Sequence, residues 1–244
     1  MTSKPELSIV VPIYDEARGL RATLSRLSSE LDSLDLTYEI IGVDDGSRDD
    51  SGDQLIALAH SNPRLIAMRN PHNEGKGSAV QLGILAARGD WIATFDADLS
   101  TDPAVLPRAL AALGNGAALV IGNRRLPESR VLVRQPVLRE SLGRVFSILA
   151  RVLVSGAPVD ATCGFKAYRR DAAREVFGEL ETPGWAFDLE VIAIARQRDL
   201  PIEGVPVTWS HRRQTRVRLP GDGLRALLDL LRIAWNQRRG GYDA

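Results

Sequence analysis

Asp96 and Asp98 stand one residue apart at the end of an apolar, β-prone run, Trp91-Ile92-Ala93-Thr94-Phe95. Alternation along a strand points both carboxylates to the same side. Two like charges so close repel unless a cation lies between or beside them. A hard divalent ion with positions left open for phosphate oxygens meets that need, and Mg²⁺ or Mn²⁺ suits oxygen ligands better than a soft metal would. The bland alternative is a solvated acidic turn in which Asp102-Pro103 caps the next helix. For a lone Asp-x-Asp that is the commoner reading, and it is the other motifs of the chain that displace it.

The elements that must position this pair alternate in type. Leu7 to Ile13 reads as a buried strand, and a helix opening at Asp15-Glu16 carries Leu20, Leu24, Leu27, Leu31 and Leu34 at three- and four-residue steps. Tyr38 to Val43 is a second strand ending in Asp44-Asp45-Gly46-Ser47, followed by a helix through Leu55 and Leu58. Leu65 to Met68 is a third strand, and Asn73-Glu74-Gly75-Lys76-Gly77-Ser78 turns into a helix carrying Val80, Leu82, Ile84 and Leu85. This βαβαβαβ order predicts a mostly parallel sheet with helices on both faces. Ligands of such sheets bind beyond the carboxyl ends of the strands. Pro12-Tyr14-Glu16, Asp44-Asp45 and Asp96-Asp98 all fall there.

The second half is less regular. A strand is expected at Ala118 to Ile121, an amphipathic helix at Arg139 to Val154, an apolar helix after Trp185, a late strand at Pro206 to Trp209 and a closing helix from Gly223 to Gln237. Between the last two lies a basic segment, His211 to Arg218. The two amphipathic helices suit either core packing or the plane of a membrane interface. Arg232, Arg238 and Arg239 near Trp235 favour the interface, where they would meet anionic headgroups.

Composition sets limits. The chain has 244 residues, with 31 basic and 31 acidic side chains. That balance argues against a general nucleic-acid binder. One cysteine, Cys163, excludes an internal disulfide framework and suits a reducing compartment. The start, Met1-Thr2-Ser3-Lys4-Pro5-Glu6, has no signal-peptide core, and no apolar run reaches the ~20 residues of a spanning helix. A cytoplasmic protein, or one held peripherally on the cytoplasmic face of the cell membrane, is expected. His60, His72 and His211 are scattered without metal-ligand spacing, and Cys163 reads as a small buried residue. Asn73 to Ser78 lacks the spacing of a P-loop.

Four motifs now read together. Val10-Val11-Pro12-Ile13-Tyr14-Asp15-Glu16, Val43-Asp44-Asp45-Gly46-Ser47-Arg48-Asp49, Asn73-Glu74-Gly75-Lys76-Gly77 and Asp96-Ala97-Asp98 resemble, in order, those of family 2 inverting glycosyltransferases. Asp160 to Lys166, with Cys163-Gly164-Phe165-Lys166, and Trp185-Ala186-Phe187-Asp188-Leu189-Glu190 narrow the resemblance to the polyprenyl-phosphate branch. Within it the chain is similar to dolichyl-phosphate β-glucosyltransferases and, more distantly, to dolichol-phosphate mannose synthases. The resemblance implies an α/β GT-A (nucleotide-diphospho-sugar transferase) fold over residues 1–222, with 223–244 a C-terminal amphipathic helix and tail.

It also implies roles. Pro12, Tyr14, Glu16, Val43 and Asp45 match the nucleoside pocket, with Asp44 assisting; Lys76, Ala97 and Arg124 lie at the nucleotide-sugar donor. Asp96 and Asp98 match the metal and diphosphate ligands, for Mg²⁺ or Mn²⁺. Mannose synthases place a glutamine where Ser100 stands, so a water can take that third contact. The family's basic Gly-Ser-Lys loop reads here Gln214-Thr215-Arg216; Arg216 keeps the charge and can grip phosphate bidentately, while the lost glycine changes what the backbone can do. Asp96, Asp98, Arg124, Asp188 and Arg216 are the residues expected to carry the chemistry. Arg139, Lys166, Arg213 and Arg216 are expected on the acceptor phosphate.

The implied reaction moves a hexose, by preference glucose from UDP-glucose, onto a polyprenyl (dolichyl or undecaprenyl) phosphate at a membrane surface, with inversion. Such an acceptor is already anionic near neutral pH and attacks without a strong general base, unlike a sugar hydroxyl. Asp188 and Glu190 would then orient sugar hydroxyls or support arginines. Three alternatives stay open: GDP-mannose as donor, a soluble hydroxyl acceptor, and a nucleotide-sugar binder without turnover. A phosphoacceptor receiver module shares the strand-end acids but has about half this length and needs neither later motif.

Overall fold

The computed structural model describes residues 4–135, 137–154, 160–211 and 221–242; residues 137–140, 142, 144, 221 and 222 are described by their backbone only. β1 (Leu7–Ile13) lies at the centre of the first half, parallel to β2 (Tyr38–Asp44) on one side and β4 (Trp91–Thr94) on the other. β3 (Leu65–Arg69) extends the sheet beyond β2. The crossovers are α1 (Leu20–Asp32), α2 (Ser51–Ser61) and α3 (Lys76–Ala86). Parallel strands need helical crossovers, and these cover both faces.

Alternation along β1 sorts the core. Ile9 and Val11 join one apolar cluster with Leu20, Leu24, Leu27 and Leu31 of α1, whereas Val10 joins the opposite cluster with Val80 and Ile84 of α3. The strands therefore read as continuous apolar runs rather than alternating ones. The first helix begins at Leu20, not at Asp15-Glu16. Asp15 is held at φ 53° in the loop, with its carboxylate on the Arg48 amide and its own amide on Ser47.

After β4 come α4 (Leu106–Gly114), β5 (Leu119–Asn123), β6 (Arg130–Val133), α5 (Val137–Leu153), β7 (Lys166–Arg169), α6 (Arg170–Gly178), α7 (Phe187–Gln197), β8 (Ile202–Pro206), β9 (Thr208–Ser210) and α8 (Gly221–Arg238). The seven-stranded sheet runs β3-β2-β1-β4-β7-β5-β8, and β6 pairs with β9 in a separate two-stranded sheet. β7 is antiparallel to both β4 and β5, so the sheet is mixed at its middle. That reversal has a use. Lys166, at the start of β7, stands opposite Thr94 and Ile121 near the carboxyl ends of β4 and β5. Residues 160–166 are thereby delivered to the same rim as Asp96. The expected late strand, Pro206 to Trp209, is the joint between two strands: β8 ends at Pro206 in the main sheet and β9 begins at Thr208 in the small one.

α8 packs on α7 and α5, and Leu230, Ile233 and Ala234 enter the core. Its other face leaves Leu224, Leu228, Leu231 and Trp235 exposed, and α5 likewise exposes Val145, Ile148 and Val152. The two faces of α8 predict opposite outcomes. Ile233→Ala, at a site 0% exposed, is expected to lower unfolding free energy by about 2–5 kcal/mol. Leu228→Ala, at 58% exposure, is expected to stay within about 0.5 kcal/mol of the parent in the same urea titration.

Candidate active site

Asp45 organises the first wall. Its Oδ1 accepts from Asn70 Nδ2 (2.8 Å) and the Glu74 amide (3.0 Å), and its Oδ2 from Asn73 Nδ2 (2.8 Å) and the Gly75 amide (2.9 Å). Burial raises its pKa, and the bonds from Asn70 and the Glu74 and Gly75 amides oppose the rise only in part. The carboxylate thus pins the loop between β3 and α3. Two neighbours expected in the nucleoside pocket turn away from it. The Val43 side chain is wholly buried against α3, and Asp44 is buried with its Oδ2 2.9 Å from Arg69 Nε and its Oδ1 on the Ser47 amide. Val43 offers its backbone alone, and Asp44 fastens β2 to β3. Pro12, Tyr14 and Glu16 are half-buried beyond the end of β1.

The central acids sit among cations. Lys76, at the start of α3, places Nζ 2.6 Å from Asp96 Oδ1. Burial opposes the charge of Asp96, yet Lys76, Lys166 and Arg124 together hold its carboxyl below the usual range. Asp98 differs. Its Oδ1 accepts the Ser100 amide at 2.8 Å, in a turn closed by Leu99 at φ 46°. Burial first, and the Asp96 charge second, raise its pKa. Ala97 is buried, and its carbonyl accepts from Thr23 Oγ1 at 2.6 Å, tying the turn to α1.

Three sequence expectations are redirected. Lys166, expected on the acceptor phosphate, is 1% exposed in its side chain, with Nζ 2.7 Å from Asp188 Oδ1 and 2.8 Å from the Cys163 carbonyl. It and Asp188 neutralise one another beneath Asp96 instead of facing a ligand. Glu190 is buried too: it accepts from the Glu181 and Thr182 amides (3.2 and 2.6 Å) and from Tyr242 Oη (2.9 Å). It anchors the loop before α7, with both carboxylate oxygens engaged inside the protein. Arg124 is committed on one side to Asp160, through Nε at 2.8 Å and its own amide at 2.8 Å, and rests 5.2 Å above the Trp209 ring. Its charge still reaches Asp96. Arg213 and Arg216 lie outside the described residues, and the Arg139 side chain does as well.

Sequence reasoning missed several supporting groups. Gly164 touches Asp96: a Cβ there would run into the carboxylate. Gly75, at φ 111°, lies where a Cβ would strike the Pro183 carbonyl, and that carbonyl accepts the Gly77 amide at 2.7 Å. The Gly-Lys-Gly pattern marks a turn but not its partner more than a hundred residues on. Trp185, half exposed, offers its ring 5.4 Å from Lys76 Nζ.

Among the described residues no group of three or more His, Cys, Asp or Glu side chains converges as a complete metal cage. Asp96 and Asp98 supply two hard oxygen donors and leave the remaining positions to other ligands. That set fits Mg²⁺ or Mn²⁺ held jointly with a diphosphate, the usual way these ions bind.

Gly164→Ala is expected to displace the Asp96 carboxylate and lower turnover by about 10²-fold, with the thermal midpoint little changed; a steady-state assay beside a melting curve checks both. For Asp160, burial is outweighed by Arg124, and the carboxyl lies below the usual range. A depressed carboxyl contributes stability above its unfolded value, near pH 4, and loses it as pH falls through the lowered one. Asp160→Asn is expected to cost about 3 kcal/mol at pH 7, and its deficit against the parent should narrow below about pH 4 in denaturation curves run across pH.

Residues 8–177 match the family described as glycosyl transferase family 2. A dolichyl-phosphate beta-glucosyltransferase of Trichomonas vaginalis is 33% identical over 245 residues, covering 95% of this chain and 74% of the relative. The human dolichyl-phosphate beta-glucosyltransferase is 32% identical over 219 residues, 84% of this chain and 68% of its own. In fold, the chain matches glucosyl-3-phosphoglycerate synthase of Mycobacterium tuberculosis crystallised with Mn²⁺, UDP and glucosyl-3-phosphoglycerate, with a TM-score of 0.68 at 20% identity over 95% of this chain and 80% of that one. The same synthase with Mg²⁺ and UDP gives a TM-score of 0.69 at 20% identity, over the same shares of the two chains. Strand-end acids ringed by cations, the α/β frame that holds them and the match across residues 8–177 agree: the chain belongs to glycosyl transferase family 2 and has the GT-A fold.

Proposed function

We propose that the protein transfers glucose from UDP-glucose to the phosphate of a polyprenyl lipid, with inversion at the sugar carbon. The observation that carries this reading is the pairing of Asp96 and Asp98 at one strand end. Asp96 is already matched by Lys76, whereas Asp98 is held by the amide and side chain of Ser100 and feels the Lys76 charge without an ion pair to it. The relatives at 31–33% identity named as dolichyl-phosphate beta-glucosyltransferases give the substrate class.

Asp98, with Asp96, would hold a Mg²⁺ or Mn²⁺ ion, which when bound offsets the charge that grows on the departing diphosphate. Lys76 supplies an ammonium at the same carboxylate pair, and Arg124 adds a fixed guanidinium whose plane is set by Asp160 and Trp209. Such pre-oriented charges stabilise a developing anion without reorganising. A phosphate acceptor brings its own negative charge, so no residue has to remove a proton. The burial of Asp188 against Lys166 agrees with that, since a paired acid is poorly placed to act as a base. Arg216 is assigned to the acceptor phosphate by its motif position, and Arg139 and Arg213 as further cations an anionic acceptor calls for.

The exposed apolar faces of α5 and α8 support attachment to a membrane surface. Arg239 stacks 3.9 Å over Trp235 at the end of α8, a pairing suited to the headgroup level. Among the described residues no helix is long and apolar enough to cross a membrane. The lone buried thiol, Cys163, suits the reducing, cytoplasmic side.

A donor panel of UDP-glucose and GDP-mannose against short polyprenyl phosphates, with Mn²⁺ or Mg²⁺, tests the reading. Glucose transfer to the lipid phosphate is expected, abolished by chelation. Asp98→Asn should lower it by ~10²-fold or more while the fold is retained by circular dichroism. Transfer to soluble alcohols alone, or full activity in Asp98→Asn, would overturn it.

A further inference from the structure

All four residues of β6 are exposed, and three are large and apolar: Val131 at 40%, Leu132 at 66% and Val133 at 50%. A strand with one solvated face alternates polar and apolar side chains. β6 is apolar on both faces and covered on neither. Its register against β9 skips a residue: Val131 stands opposite Trp209, Val133 opposite Ser210, and Leu132 has no partner. An extra residue of this kind bends a strand and re-aims its side chain. Among the described residues, β9 is the single strand neighbour of β6. An apolar edge strand left bare in water is an aggregation hazard, so something covers it.

The place of β6 says what. Its partner strand is built into the site: Ser210 donates to the Ser100 carbonyl (2.8 Å), the Asp102 amide donates to the Thr208 carbonyl (2.9 Å), and Trp209 lies under Arg124. β6 therefore shares a backbone frame with the turn that carries Asp98. It leads, within a few residues, into α5 and that helix's exposed Val145, Ile148 and Val152. Exposed arginines bracket it, Arg130 and Arg134, matching anionic headgroups on either side of an apolar tip. A second copy of the chain fits less well. Antiparallel pairing about Leu132 would set Arg130 opposite the other copy's Arg134, like charges face to face.

We infer that β6 is a lipid-contacting wedge at the rim of the active site. Val131, Leu132 and Val133 enter the acyl boundary of the bilayer, and the acceptor phosphate reaches the Asp96–Asp98 turn along this side. The unpaired strand edge needs water or headgroups for its amides and carbonyls, which fixes the wedge at interfacial depth. This inference rests on the lipid-phosphate reading and adds to it an anchoring element apart from α5 and α8.

The test is nitroxide labelling at Leu132→Cys, Leu228→Cys on α8 and Ser61→Cys at the end of α2, with buried Cys163 out of reach of the reagent. Vesicles of phosphatidylcholine and phosphatidylglycerol are added without acceptor, and collisions with oxygen and with a water-soluble nickel chelate are compared. At 132 and 228 oxygen access should rise and nickel access fall on vesicles, with no change at 61. If 228 becomes embedded and 132 stays in water, the wedge fails and the membrane reading stands; if neither is embedded, both fail. Protection of 132 from both reagents before vesicles are added, with a doubled mass, would assign the strand to self-association and overturn the wedge. Leu132→Asp should raise the KM for vesicle-borne polyprenyl phosphate about tenfold or more, leave UDP-glucose affinity unchanged, and be rescued by Leu132→Phe. An equal loss of UDP-glucose affinity would make β6 a structural support only.

Discussion

The site exists because negative charge is crowded at the carboxyl ends of parallel strands and then answered, group by group. Lys76 answers Asp96, Lys166 answers Asp188, Arg124 answers Asp160 and Arg69 answers Asp44. Asp45 is answered by four hydrogen-bond donors. Buried pairs of this kind add little net stability, but removing one partner leaves an uncompensated charge at high cost. They therefore fix an arrangement more than they strengthen a fold. Asp98 stands beside Asp96 with no ion pair of its own among the described residues, and burial together with the Asp96 charge raises its pKa.

The frame that holds these pairs is assembled from distant parts of the chain. The Gly75-to-Gly77 turn is locked to the Pro183 carbonyl, and the Asp98 turn to β9. Antiparallel β7 is what brings residues 160–166 to the rim that carries Asp96. Had β7 run parallel, Lys166 would lie at the opposite end of the strands and Asp188 would be buried alone.

Much of this was legible in the sequence where one element carries both the pattern and the chemistry. The βαβ alternation of the first half, the acids at its strand ends and the long amphipathic helices follow from local periodicity. The strands β6, β7 and β8 did not, because each is defined by its neighbours in the sheet rather than by an alternation of its own. Asp160 was legible as part of a motif but not as the partner of Arg124, since that contact spans 36 positions. Lys166 shows the limit most clearly. Its charge suggested an anion from outside, and the fold supplied Asp188 from within. Val43 and Asp44 lie inside a recognisable motif, yet the fold commits the one side chain to packing against α3 and the other to the Arg69 contact.

The anchoring of the loop at 181–186 couples it to a remote part of the chain. Its amides hang on Glu190, an acid with no solvent access whose remaining oxygen is taken by the hydroxyl of Tyr242. That hydroxyl comes from 52 positions further along the chain, just past the end of α8. A shift in how α8 is seated is therefore felt at Glu190 and, through the two amides it holds, along the wall beside Lys76.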